Sequence, residues 1–259
     1  MEPHRPFRWD LVRPDALGSL LDGVAEPDLW YLDELVDCAA KVRERAGDAD
    51  LYFVGRSVDS LFDLLSGALQ GSARADRLHQ LPLSLYQHDG ARLTAPEEAQ
   101  LRTNLASEGL SPDRLQRGRA TAFVDLVHEG STFGNLYAVL RAWVDDERAQ
   151  WDVIRRRLRF VGITRRTSTS PKTWRWQQHA PWVAELPASA VANVSLDPRV
   201  WGWLGNEQSK TAPSFRRTRW SQPDAAGPQR DDRTRSALAE AVALVEAGRG
   251  TDVRRTLRR

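Results

Sequence analysis

The stretch Phe123-Val124-Asp125-Leu126-Val127-His128-Glu129-Gly130-Ser131-Thr132 ends an apolar run in a carboxylate and follows it with a short loop of glycine and hydroxyl side chains. Such a loop presents backbone N–H groups and hydroxyls, and a helix opening behind it adds the positive end of its dipole. A phosphate dianion is the ligand this arrangement suits. Asp125, just before the loop, can accept hydrogen bonds from sugar hydroxyls, and His128 is a candidate proton shuttle at neutral pH. A second loop has the same character. Tyr52-Phe53-Val54-Gly55 is an apolar run, and Arg56-Ser57 leads from it into an apolar-rich segment. The planar fork of Arg56 suits phosphate oxygens.

These loops need a scaffold of strands and helices. Leu51–Gly55, Leu81–Leu85, Ala120–Val127 and Leu158–Thr164 read as strands, the second irregular or at an edge because of Pro82. Helical spacing is found around Leu29, Leu32, Leu35, Val36 and Ala39, and again over 59–69, 97–108, 133–156 and 236–246. Strands alternating with helices predict an α/β fold with a mostly parallel sheet covered on both faces. Residues 166–225 hold six of the ten tryptophans among prolines and arginines without a clear period, and read as an irregular cap.

Composition sets outer bounds. The 259 residues can bury a full α/β core with additions. A net charge of +2 gives nucleic-acid binding no support from bulk charge. Lys41, Lys172 and Lys210 are the only lysines against 34 arginines, a bias that genome composition alone can produce. The single Cys38 excludes an internal disulfide and a cysteine-based metal cluster. No apolar run reaches the ~20 residues of a membrane span and the N-terminus does not read as a signal peptide, so a cytoplasmic protein without a membrane partner is expected.

The loop at 125–132 resembles the diphosphoribosyl-binding motif of type I phosphoribosyltransferases, where a hydrophobic strand leads to two acidic residues and a Thr-Gly-x-Thr/Ser loop. Val124 stands where the first acidic residue usually is, and Glu129 replaces a Thr or Ser. The loop at 52–57 is similar to that family's pyrophosphate loop and comes in the right order. The resemblance implies a phosphoribosyltransferase-like core over 49–165. A helical N-terminal extension (1–48), a cap or hood (166–225) and a linker, C-terminal helix and basic tail (226–259) would surround it. It further implies a glycosyltransferase that uses phosphoribosyl pyrophosphate, with Mg²⁺ held mainly through substrate oxygens, a nucleobase-like acceptor and a homodimer. Asp125 would then orient the ribose and His128 would face the base. Glu129, Gly130, Ser131 and Thr132 would form the 5-phosphate loop, and Arg56 and Ser57 would hold pyrophosphate. The family places base recognition in its hood, which implies stacking by Trp174 or Trp176; core packing of the cap competes as the explanation of those tryptophans. Two other functions stay open. Loss of the first carboxylate suits a sensor that binds the ligand without turnover, and the arginine- and tryptophan-rich cap could contact nucleic acid.

Overall fold

Five short apolar segments join in one all-parallel sheet: β1 (Asp50–Val54), β2 (Leu78–Leu81), β3 (Thr121–Leu126), β4 (Leu158–Arg165) and β5 (Val191–Leu196). Their spatial order is β2-β1-β3-β4-β5. The structure, a computed structural model, describes residues 1–85, 93–166, 175–222 and 227–258. Among these the helices are α1 (Leu32–Ala46), α2 (Asp59–Leu69), α3 (Ala95–Ser107), α4 (Pro112–Arg117), α5 (Ser131–Asp146), α6 (Trp151–Arg157), α7 (Pro198–Gly202), α8 (Arg217–Trp220), α9 (Asp232–Arg249) and α10 (Thr251–Leu257).

Successive strand side chains point to opposite faces, and each face has its own core. Leu51, Phe53, Ala122, Val124, Val161 and Ile163 pack with α1, α2, α9 and α10. Tyr52, Val54, Phe123 and Phe160 pack with α3, α4, α5 and α6. The strands are therefore buried on both sides, which is why they read as continuous apolar runs. From β1 the chain passes through α2 on the first face to β2. It then returns over β1 through α3 and α4 on the second face to β3. The strand order reverses between β1 and β3, and at such a reversal the carboxyl ends of the strands leave a crevice where ligands bind in open parallel sheets.

Several expected elements shift for local reasons. Pro82 has no N–H to give, so β2 closes at Leu81 rather than running from 81 to 85, and Leu83 makes a bridge to Phe215 instead. The expected helix over 133–156 divides into α5 and α6, with Arg148 at φ 53 between them. The expected helix over 236–246 is longer, because Asp231 caps its start by accepting from Thr234 N at 2.9 Å. Residues 191–196, within the segment that read as irregular, supply the fifth strand. α2 and α9 cross very closely. A Cβ built on Gly67 would stand 1.9 Å from Val245 O, and one on Gly248 would stand 2.1 Å from Leu64 O. No helix among the described residues is long and apolar enough to cross a membrane.

Candidate functional site

A crevice of about 850 Å³ opens at the carboxyl ends of β1 and β3, the point where the strand order reverses. β1 contributes Val54 and the turn Gly55-Arg56-Ser57, and β3 contributes Asp125. Thr132 enters from the first turn of α5, and the segment 205–218 with the start of α9 forms the opposite wall. Gly55 allows the chain to turn sharply here, at φ 75, while its N–H is held by Leu81 O at 2.8 Å.

Asp125 is 7% exposed. It lies opposite Gly162 in the sheet register, and its Oδ1 accepts the N–H of Leu126 at 2.7 Å. Burial pushes its carboxyl up to about 7, against the opposing pull of the Leu126 N–H and the Thr132 hydroxyl. The group thus sits near the midpoint between acid and carboxylate at neutral pH, as a hydrogen-bonding partner for hydroxyls or as a proton acceptor.

The walls are cationic. Arg56, Lys210, Arg216, Arg217 and Arg233 line the crevice against Asp125 and Asp231 as its carboxylates. Arg217 is committed to Glu97, whose carboxyl it holds down at about 2 together with Thr94. Arg56 donates to Ala212 O at 2.8 Å, and Arg233 to Ser209 Oγ at 3.3 Å. Among the described residues, Arg56, Arg216 and Arg233 have no carboxylate within ion-pair distance. Burial lowers the Arg56 pKa, Asp59 raises it, and Arg216, Arg219 and Arg233 lower it further. Cations that repel one another around a cavity without matching carboxylates favour a multiply charged anion.

One wall rests on a buried polar chain. The two N–H bonds of Gln208 Nε2 face Glu240 at 2.8 Å and Ser60 at 2.8 Å, with the Tyr31 hydroxyl beside them at 3.2 Å, and Tyr31 donates to Glu240. Lys210 Nζ donates to Gln208 Oε1 at 2.6 Å and to Leu204 O at 2.9 Å. Burial brings the Lys210 amine down to about 8.

The expected site residues fall into three groups. Arg56, Ser57, Asp125 and Thr132 meet in the crevice. Glu129, Gly130, Ser131 and His128 are outside its lining. His128 is exposed over 69% of its side chain, with Nδ1 3.8 Å from Glu129 Oε1 and its ring 6.3 Å from Trp201, so it does not face the cavity as an acid/base residue would. Gly130, at φ 79, caps α5, and a Cβ there would come 2.4 Å from the Trp176 ring. Trp176 is 2% exposed, packs on Phe133 and Trp182, and donates to Asn193 Oδ1 at 2.8 Å. Its faces are committed to the core and to clamping the loop, which leaves none for a base. Trp174 lies outside the described residues.

No family matches the chain, and no curated protein or solved structure does either. Sequence reasoning missed Lys210, Arg216 and Arg233 as pocket residues. Lys210 is one of three lysines in the chain, and nothing in its local sequence sets it apart. Among the described residues no group of three His, Cys, Asp or Glu side chains could hold a metal ion.

Proposed function

We propose that the crevice binds a phosphorylated ribose derivative and that the chain is a phosphoribosyltransferase-type enzyme. The observation that carries this reading is the group Arg56, Arg216 and Arg233, unpaired with carboxylates among the described residues, around the buried Asp125 at the β1/β3 reversal. Asp125 would accept from ribose hydroxyls, and Thr132 at the start of α5 would meet the 5-phosphate. The arginines would hold the diphosphate. A nitrogen nucleophile would form its bond to the anomeric carbon as the C–O bond breaks, with the electron pair leaving on pyrophosphate. Guanidinium groups fixed where that charge gathers stabilise the departing group without reorganising. Mg²⁺ would enter on diphosphate oxygens and water, since the crevice offers two separate carboxylates rather than an acidic cluster. The acceptor is read as nucleobase-like.

A sensor without turnover is the second reading. Val124 favours it: the side chain is fully buried in the core on the opposite face of the sheet, so no second carboxylate stands beside Asp125 at that place. Pyrophosphate release from phosphoribosyl pyrophosphate with Mg²⁺, assayed against a panel of purine and pyrimidine bases, separates the two. Base-dependent release abolished in Asp125→Asn supports the enzyme. Tight binding with no release on any base supports the sensor.

A further inference from the structure

Lys210 differs chemically from the arginines that share its crevice. An arginine stays charged across the physiological range, whereas a lysine drawn out of water loses its proton readily and becomes a nucleophile. We propose that Lys210 is a reactive amine of this site and that it takes carbonyl-bearing phosphate esters as imines. The inference rests on reading the crevice as a phosphate site.

Its geometric basis is the way Nζ is held. Both of its partners, Leu204 O and Gln208 Oε1, are acceptors. The Gln208 amide is turned by the Glu240 carboxylate, which can only accept and so draws Nε2 to itself at 2.8 Å, and Oε1 is the end that meets Lys210. A neutral amine has two N–H bonds and one lone pair. With both N–H bonds spent on these oxygens, the lone pair is left for an incoming electrophile. Lys210 lines the same crevice as Arg56, Arg216 and Arg233, which would anchor a phosphate at the other end of such a ligand. The charged groups acting on the amine are Asp59 and Asp63 of α2, Arg56 in the loop before it, and Glu240 of α9. Asp63 also feels Arg8. Burial outweighs the three carboxylates and lowers the amine, which supports a neutral fraction at physiological pH.

The step balances simply. The Nζ lone pair adds to the carbonyl carbon, both amine protons leave with the carbonyl oxygen as water, and a C=N bond remains. Borohydride then delivers hydride to that carbon and fixes the adduct.

The full chain incubated with pyridoxal 5′-phosphate, reduced with borohydride and mapped by peptide mass spectrometry tests this. With exposed Lys41 as internal reference, Lys210 should label at least tenfold faster at pH 7.5, with a rate that rises through about pH 8. Inorganic pyrophosphate should suppress the labelling, and pyridoxal without its phosphate should label Lys210 more slowly than pyridoxal 5′-phosphate does. The effect of pyrophosphate on the unfolding midpoint is recorded alongside. If pyrophosphate stabilises the protein while Lys210 labels no faster than Lys41, the reactive-amine assignment is overturned and the phosphate site stands. If pyrophosphate neither stabilises nor protects, both fall.

Discussion

Asp125 is the buried carboxylate of the crevice, and its cost to the fold is measurable. Its native pKa, about 7, lies above that of an unfolded aspartate, so the native state holds a proton that the unfolded state has lost between about pH 4 and 7. Stability must fall as pH rises through that window and level off above it. Asp125→Asn keeps an oxygen for the Leu126 N–H and removes the titration. The variant should therefore be more stable than wild type at pH 8, by up to about 4 kcal/mol, and match it more closely near pH 4. Chemical denaturation at the two pH values reads this directly; a constant difference would show that Asp125 does not titrate in the window. The same substitution should weaken binding of phosphoribosyl pyrophosphate, so stability and function move in opposite directions at this residue.

Trp176 makes the complementary case. A sequence cannot distinguish an indole that stacks a ligand from one that closes a core, because both want a large flat apolar surface. Its burial against Gly130 and its bond to Asn193 decide the matter. That Asp125 and Arg56 would lie at strand ends lining a crevice was legible, because a charged residue at or just past the end of a buried apolar run has few structural reasons to be there. His128 was not, because the direction of a loop side chain is set by packing that local pattern does not encode.

Among the elements, α2 and α9 show how close backbone approach depends on two glycines far apart in sequence. Gly67→Ala or Gly248→Ala places a methyl group against a carbonyl and must push the helices apart, which should cost about 2–4 kcal/mol. Urea unfolding measures it, and a loss under about 0.5 kcal/mol would mean the helices can shift without penalty. Gly130→Ala combines positive φ with a collision on Trp176. It should lower stability and also weaken phosphate binding through the displaced start of α5, an effect visible by calorimetry with inorganic pyrophosphate. β1, β3 and β4 were readable from their apolar runs, since strands buried on both faces carry that signature. β5 was not: Val191-Ala192-Asn193-Val194-Ser195-Leu196 carries small and polar residues because much of its length is only half-buried.

For the whole molecule, the reversal of strand order carries the functional argument. It could not be read from the sequence, because which side of β1 receives β3 depends on the face taken by α3 and α4, and both faces offer an apolar core. The cationic wall is likewise a product of tertiary folding: Arg56, Arg216 and Arg233 are separated by up to 177 residues and meet only when 205–218 and the start of α9 close over the sheet. Guanidinium groups gathered in this way should make phosphate binding fall steeply with salt, and Arg56→Ala combined with Arg216→Ala should flatten that dependence. Titrations of pyrophosphate at low and high ionic strength check it; an unchanged salt dependence in the double variant would place the anion elsewhere.

The most direct test of the central claim is the thermal unfolding midpoint with Mg²⁺ and phosphoribosyl pyrophosphate, against ribose 5-phosphate, ATP and sulfate. At a ligand concentration near a hundred times Kd, binding to the native state alone should raise the midpoint by on the order of 5 °C. We predict that rise for phosphoribosyl pyrophosphate, a smaller one for ribose 5-phosphate, and its loss in Arg56→Ala. No rise, or an equal rise for every anion including sulfate, would contradict a site built for a phosphorylated ribose.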